Sequence, residues 1–408
     1  MLFHMPEFMV LLILTLLCFW PTRRLRIPVL AVAALLFYSV SGWQYLLLFL
    51  GMMTLTHLLA AYARGPYGRV AVWVGVLANL ANLVLFKYTG LMVSSVNRLL
   101  HLGLNEHVWQ LLLPIGISFY TFQLIAYLVD VYKGRTEPAR NLLEMWVFIA
   151  FYGHLIAGPI MRGGEFLEQV HAAPKQRLDW QRFQYGIYLF GLGMVKKVMF
   201  SDVLGPKVDA LFAQATTLGG LEAWVAGWLF AFQIYFDFSA YSEMALGIGH
   251  LFGFELAVNF RTPYLSQNPQ EFWTRWHITL SSWIRDYLYI PLGGSRRGEG
   301  RAYLNLVLAM ALSGLWHGAA WTFVIWGIFH GLLSALHKFW GRRVLKPLGI
   351  EPRGAWVRWL SIFLMFQATT IGWIFFRAHT FSGAVALVRK MLNPTLWHVT
   401  PLVAGTLP

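Results

Sequence analysis

Long runs without a charged residue constrain this sequence more than any other feature. A helix needs about 20 apolar residues to span a bilayer, and six uncharged runs reach or approach that length. They are Ile27 to Ala63, Val70 to Phe86, His107 to Val129, Met145 to Met161, Ala302 to His337 and Trp359 to Phe376. These runs are continuously apolar, whereas the strands of a membrane barrel alternate polar and apolar residues. The sequence therefore predicts an all-α, polytopic integral membrane protein rather than a water-soluble globule.

The same runs predict the number of helices and the domain organisation. Shorter apolar segments between them bring the prediction to roughly ten to twelve transmembrane or re-entrant helices. No low-complexity stretch or long linker divides the chain, and each distinctive motif occurs once. We therefore expect residues 1–408 to form a single membrane domain without an internal duplication.

Basic residues outnumber acidic residues, which gives a formal net charge of +14 at pH 7. In a membrane protein such an excess is typical of cytoplasmic loops, so it does not indicate nucleic-acid binding. The basic residues cluster in short connectors, namely Arg23, Arg24 and Arg26; Arg64 and Arg69; Arg296, Arg297 and Arg301; and Lys338, Arg342, Arg343 and Lys346. Cytoplasmic connectors at these positions place the N-terminus outside. The expected surroundings are membrane lipids.

The run from Ala302 to His337 is too long for one membrane span. As a single helix its 36 residues would extend about 54 Å, against a hydrocarbon core of about 30 Å. Both ends are flanked by basic residues, so both ends are predicted on the same side, with a break near Trp316, His317 and Gly318. His317 then lies deep in the membrane, where it is either a general base or a structural hydrogen-bonding group.

A helix start is predicted at Asn268. Asn268 suits the N-cap, Pro269 the first helical position and Glu271 the third. The residues that follow fit one amphipathic helix as far as Tyr287, which is better suited to the membrane interface than to spanning. His277 lies beside the apolar stripe of this helix and is the second candidate for catalysis. The alternative is a solvated interface histidine.

Acidic residues inside apolar sequence are the next candidates. Asp237 and Glu243 lie in an apolar helix, where hydrogen bonding between helices is the favoured interpretation and a proton path is the alternative. A metal site is not predicted, because no histidine pair at i,i+4 spacing has a nearby carboxylate. Cys18 is the only cysteine, so intrachain disulfides and cysteine metal sites are not expected.

The loop after Gly293 and Gly294 carries two arginines, Arg296 and Arg297. Guanidinium groups and free backbone amides both suit anions, so this loop could bind phosphates. A flexible basic loop on the cytoplasmic side is the alternative interpretation.

Five sequence blocks, in this order, resemble the membrane-bound O-acyltransferase family. They are Leu113 to Gly134 (LPIGISFYTFQLIAYLVDVYKG), Gln233 to Gly247 (QIYFDFSAYSEMALG), Glu271 to Ser282 (EFWTRWHITLSS), Trp283 to Gly294 (WIRDYLYIPLGG) and Ser313 to Gly318 (SGLWHG). Within the family they are most similar to bacterial alginate-type polysaccharide O-acetyltransferases. The resemblance covers a core of about residues 113–331.

This resemblance implies a helical fold around a tunnel through the bacterial inner membrane. The outside N-terminus that the basic connectors predict is then periplasmic. His317 matches the catalytic histidine of the family, and His277 matches its second histidine. Acetyl-CoA is then the expected cytosolic acyl donor, with no permanently bound cofactor, and an exported polysaccharide such as alginate or cellulose is the expected acceptor. A periplasmic acetyltransferase or esterase-like protein and a polysaccharide synthase complex are the expected partners. We further expect Arg296 and Arg297 to bind the phosphates of the donor.

Two other functions are open. One is another acyltransferase of the same family, either a lipid acyltransferase or the D-alanyl transfer protein of teichoic acid modification. The D-alanyl transfer protein shares the RWH and WHG motifs but takes its acyl group from a carrier protein. The YLYIPLGG block from Tyr287 to Gly294 favours the acetyltransferases over it. The other possibility is a proton-coupled polysaccharide exporter in which Asp237, Glu243 and the histidines form a relay. The missing internal repeat is evidence against an exporter.

Overall fold

The computed structural model describes residues 3–103, 112–349 and 354–398. No β-strand occurs within these ranges, which confirms the predicted all-α fold. The first five residues of the predicted run His107 to Val129 lie outside the described residues. In chain order the α-helices are α1 (Pro6–Phe19), α2 (Arg26–Ser39), α3 (Trp43–Tyr62), α4 (Gly68–Leu83), α5 (Thr89–Leu100), α6 (Ile117–Tyr132), α7 (Leu142–Ala150), α8 (Tyr152–Leu155), α9 (Gly163–Ala172), α10 (Trp180–Val195), α11 (Asp202–Ala213), α12 (Gly220–Leu251), α13 (Pro269–Arg275), α14 (Ile278–Ile284), α15 (Glu299–His317), α16 (Trp321–Trp340), α17 (Ala355–Arg377) and α18 (Phe381–Leu392).

Several helices are suited to a membrane. Among the described residues, three helical segments are long and apolar enough to cross one: Trp43–Tyr62, Gly68–Leu100 and Ala355–Arg377. The second of these joins α4 and α5 through a π-helical stretch. Helices α1 and α6 are apolar but shorter. These features agree with a helical membrane protein, whereas the total of roughly ten to twelve membrane helices stays a prediction.

The chain divides into two compact units. The first comprises Met1–Met194 and Ala240–Val258, and the second comprises Val195–Ser239 and Asn259–Pro408. Each unit has its own apolar core. The prediction of one functional membrane domain over residues 1–408 stays a prediction.

Arg26, from one of the basic connectors, has a structural role inside the first unit. Its side chain is buried, and its guanidinium group donates hydrogen bonds to the backbone oxygens of Phe19, Trp20, Ala173 and Gln176 at 2.6 to 3.1 Å. The five N–H donors of a guanidinium group suit such a set of acceptors. Arg26 therefore ties the end of α1 and the start of α2 to the segment that follows α9.

The run from Ala302 to His337 forms a helical hairpin in the second unit. Helix α15 ends at His317 and α16 begins at Trp321, which confirms the predicted break. The basic flanks of the run also meet as predicted, because Arg343 forms a salt bridge of 2.7 Å with Glu299.

Glycines let the two helices of this hairpin approach each other closely. A Cβ atom on Gly314 would lie 2.1 Å from the backbone oxygen of Phe323, and one on Gly327 would lie 2.1 Å from that of Met310. Any larger residue at either position would push the backbones apart, because interiors are close-packed and yield little. The close approach fixes His317, at the end of α15, relative to α16.

The segment after Asn268 is two short helices and not the one amphipathic helix that was predicted. Asn268 caps α13 as expected, since its side chain accepts a hydrogen bond of 2.9 Å from the backbone N–H of Glu271. However, His277 has a left-handed backbone, with a φ angle of 44°. The prediction of a continuous helix to Tyr287 is wrong because this left-handed residue turns the chain, and the helix restarts as α14 at Ile278.

Candidate active site

His317 stands where the α15–α16 hairpin turns. Its side chain is half-buried, so neighbouring side chains restrict the imidazole while part of the ring stays exposed to a substrate. The rings that lie against it include Trp326 of α16, at 5.1 Å between centroids, and Phe376 of α17, at 5.3 Å. This combination of access and support is suited to a proton-transfer group.

His277 lies at the junction of α13 and α14 and is only 1% exposed, so the interpretation as a solvated interface histidine is wrong. Its Nδ1 atom lies 3.4 Å from Oδ1 of Asn259. The same oxygen accepts hydrogen bonds from the backbone N–H of Thr279 at 3.2 Å and from the Thr279 hydroxyl at 2.7 Å. Because this oxygen is an acceptor, the contact favours the tautomer with the proton on Nδ1 of His277, in which Nε2 is the basic nitrogen.

The two histidines predicted as catalytic lie side by side, although 40 positions separate them in the sequence. Their ring centroids are 6.3 Å apart, and their planes are inclined by 62°. Trp316 contacts both rings, and Phe238 packs edge-on against His277 at 4.6 Å. Surroundings of low polarity strengthen electrostatic effects, so a paired imidazole here would act more strongly on a developing charge than in water.

Sequence reasoning missed Asn259 and Thr279, which hold His277. Asn259 is fully buried, and its backbone oxygen also accepts a hydrogen bond of 3.1 Å from the N–H of Ile278. Asn259 precedes His277 by 18 positions and belongs to no helix. Its one sequence signal is a polar residue between Val258 and Phe260, which is too common to single it out.

A cavity of about 250 Å³ lies in the second unit among α13, α14, α15 and α16. Its walls are mostly apolar and include Trp273. The polar side chains in its lining are Gln270, Ser281, Arg285, Tyr289, Ser313, Ser334 and Lys338. Two cationic groups, Arg285 and Lys338, therefore line a cavity that reaches Ser313, one helical turn before His317. The sequence places Lys338 in a basic connector and Arg285 in a family-like block, but it predicts neither as a site residue.

Arg296 and Arg297 are exposed and are not part of that lining. Their loop is anchored, since the side-chain amide of Asn305 donates a hydrogen bond of 3.1 Å to the backbone oxygen of Gly294. The loop also runs beside the cavity, because a Cβ atom on Gly294 would lie 3.6 Å from the ring of Tyr289, which lines it. Phosphate binding by the two arginines stays a prediction.

A second cavity, of about 430 Å³, lies beside the residues that surround His317. It is lined by Phe376, whose ring contacts His317, and by polar groups that include Gln233, Asp237 and Arg377. Asp237 accepts hydrogen bonds from Lys197 at 2.7 Å and from Ser201 at 3.0 Å. These bonds agree with the favoured interpretation of Asp237 as a group that links helical segments.

The sequence matches the membrane-bound O-acyltransferase (MBOAT) family over residues 139–374, which is more than half of the chain and includes both histidines. The chain belongs to this family. The matched range begins later and ends later than the predicted core of about 113–331, and it takes in most of α17. An MBOAT protein is a membrane protein, in agreement with the apolar helices described above.

Several known proteins are similar to this chain over most of its length. A probable alginate O-acetylase of Pseudomonas aeruginosa is 38% identical over 391 residues, covering 93% of this chain and 72% of the relative. A peptidoglycan O-acetyltransferase of Helicobacter pylori is 35% identical over 392 residues, covering 89% and 73%. A teichoic acid D-alanyltransferase of Streptococcus thermophilus is 28% identical over 284 residues, covering 64% and 68%.

Proposed function

We propose that this chain is a multi-pass O-acetyltransferase of the bacterial inner membrane, with a periplasmic N-terminus. It moves acetyl groups from cytosolic acetyl-CoA to a hydroxyl group of an exported polysaccharide. The observation that carries the proposal is the pairing of His277 and His317, at 6.3 Å between ring centroids, inside the range that matches the MBOAT family. The relatives named for O-acetylation of alginate and of peptidoglycan favour acetyl transfer to a polysaccharide.

His317 is the general base in this proposal. Its imidazole takes the proton from the acceptor hydroxyl, and the hydroxyl oxygen attacks the thioester carbonyl carbon. A carbon–oxygen bond forms, the carbon–sulfur bond breaks, and the leaving thiolate takes the proton from the imidazolium. A positioned base of this kind contributes a rate factor on the order of 10² to 10⁴. His277, whose Nδ1 is directed to Asn259, orients a reacting group with its other nitrogen.

The cavity of about 250 Å³ is the proposed donor site. Its apolar walls with separated polar groups suit a long thioester arm that carries amides. Arg285 and Lys338 supply positive charge for the donor's phosphates. Arg296 and Arg297, in the loop beside Tyr289, extend this positive surface outward.

The cavity of about 430 Å³ is the proposed acceptor site. Amide, carboxylate, guanidinium and hydroxyl groups in its lining suit a ligand with many hydroxyl groups, and Phe376 links the cavity to His317. In this proposal a polysaccharide synthase complex supplies the polymer, and a periplasmic acetyltransferase or esterase-like protein is a partner that acts on the same polymer.

The test uses the full chain in nanodiscs with [¹⁴C]acetyl-CoA and alginate or cellulose oligosaccharides as acceptors. We expect labelled acetyl esters on an oligosaccharide and release of free coenzyme A. Replacing Arg296 and Arg297 together with alanine should raise the donor KM more than it lowers kcat. Transfer from a D-alanyl carrier-protein thioester, with acetyl-CoA inert, would contradict the proposal.

The alternative functions have less support. The relative named as a D-alanyltransferase is 28% identical over 64% of this chain, against 38% over 93% for the alginate relative. For a proton-coupled exporter, Asp237 would have to exchange protons freely. Asp237 is instead held by a salt bridge of 2.7 Å with Lys197, which gives it a structural partner.

A further inference from the structure

Two aromatic side chains form a wall beside His317. Trp326 meets the imidazole nearly at a right angle, with centroids 5.1 Å apart, and Phe376 lies at 5.3 Å. The two rings also contact each other at 5.2 Å. We call this pair, Trp326 and Phe376, the aromatic wall.

The aromatic wall contacts His317 and adjoins the linings of both cavities. Trp273, which lines the proposed donor cavity, packs against Trp326 at 5.8 Å. Phe376 itself lines the proposed acceptor cavity. An acyl group that approached His317 from the proposed donor cavity would meet these two rings.

The wall is backed by a second layer and does not yield easily. Trp326 is fully buried and stacks on Trp373 at 5.7 Å, with planes inclined by 19°. The indole N–H of Trp373 donates a hydrogen bond of 3.2 Å to the Tyr264 hydroxyl, which in turn donates to the backbone oxygen of Ala231 at 2.6 Å. A close-packed, hydrogen-bonded support of this kind resists a change of even one methylene in volume.

We propose that the aromatic wall sets the acyl-chain specificity of this enzyme, admitting an acetyl group beside His317 and excluding longer chains. This inference rests on the proposed function, since it assumes that a thioester reacts at His317. In an apolar pocket each methylene changes specificity by about 10- to 200-fold. Removing one wall ring should therefore relax the preference for acetyl over longer acyl groups by at least about 10-fold.

The experiment compares kcat/KM for acetyl-CoA, propionyl-CoA and butyryl-CoA at one fixed acceptor concentration, because the ratio between donors cancels effects on the acceptor. The wild type should prefer acetyl-CoA over butyryl-CoA by 100-fold or more, on the order expected for two methylenes. Phe376→Ala should reduce that ratio by at least about 10-fold. Trp326→Phe is a milder change and should also reduce the ratio of acetyl-CoA to butyryl-CoA use. If Phe376→Ala does not fold, the result for Trp326→Phe tests the inference.

The matched control is Phe375→Ala. Phe375 is the neighbour of Phe376 on α17, is also partly buried, and packs against Phe381 at 6.4 Å. Its replacement should leave the donor ratio unchanged. An unchanged ratio in both wall variants, or a wild type that uses acetyl and butyryl donors equally, would overturn the inference while leaving acetyl transfer intact. A wild type that turns over none of these thioesters would overturn the proposed function itself, and the inference with it.

Discussion

Asn259 holds both His277 and the start of α14 through one side-chain oxygen, so Asn259→Ala tests how the site is built. That oxygen accepts hydrogen bonds from the backbone and the hydroxyl of Thr279 and lies 3.4 Å from Nδ1 of His277. A buried donor that loses its acceptor costs about 1–3 kcal/mol. With the two Thr279 donors affected, we expect Asn259→Ala to reduce stability by about 2–6 kcal/mol.

The catalytic effect of this variant should exceed what lost stability explains. Without Asn259 the imidazole of His277 loses its orientation, and a displacement of about 1 Å in an active site costs on the order of 100-fold in rate. We therefore expect kcat for acetyl transfer to fall about 100-fold at a temperature where the variant is fully folded, with little change in the donor KM.

The assay is acetyl transfer in nanodiscs combined with thermal unfolding of the same samples. Thr279→Ser is the matched control, because serine keeps both the backbone and the hydroxyl donor to Asn259, and it should retain most of the activity. A fully active Asn259→Ala, or a Thr279→Ser variant that loses as much activity as Asn259→Ala, would refute the reasoning.

Three further predictions concern separate features. His277→Gly should be about 1 kcal/mol more stable than His277→Ala, because glycine adopts the left-handed backbone without strain. Both variants should lack acetyl transfer. Equal thermal midpoints of the two variants would argue against strain at this position. Lys338→Ala should raise the KM for acetyl-CoA several-fold at nearly constant kcat, since Lys338 lines the proposed donor cavity. An unchanged KM in steady-state kinetics would argue against a role of Lys338 in donor binding. Gly314→Ala should reduce stability by about 1–3 kcal/mol, because its Cβ atom would meet the backbone of Phe323. The control is Gly300→Ala, in the first turn of the same helix. Its Cβ atom would have no neighbour within 4 Å, so the thermal midpoint should not change. A destabilised Gly300→Ala or a neutral Gly314→Ala would contradict this packing.

The helical fold and the two histidines could be predicted from the sequence for identifiable reasons. The all-α membrane fold could be predicted because the uncharged apolar runs are longer than the apolar segments that a water-soluble protein needs for its core. The break at His317 follows from length, because the run from Ala302 to His337 exceeds one membrane span. His277 could be named as a candidate from its motif.

The rest depends on contacts between distant positions. The left-handed backbone of His277 has no local signal, since hydrophobic periodicity continues through it and predicts one helix. Asn259 holds the side chain of His277, but the sequence around an isolated asparagine in a loop does not indicate which residue it contacts. Arg285 and Lys338 were not predicted as site residues for the same reason. Arg285, directly after α14, and Lys338, on α16, line one cavity only in the folded chain. The adjacent arginines Arg296 and Arg297 are easily recognised in the sequence, but they lie exposed.

The most direct test of the central claim is the rate of acetyl transfer from [¹⁴C]acetyl-CoA to an oligosaccharide by wild type and by His317→Ala, with His337→Ala, an exposed histidine on α16, as the control. His317→Ala should keep its thermal midpoint and lose a factor on the order of 10² or more in rate, as expected for a general base, while His337→Ala should keep wild-type activity. Undiminished transfer by His317→Ala would show that His317 is not the general base.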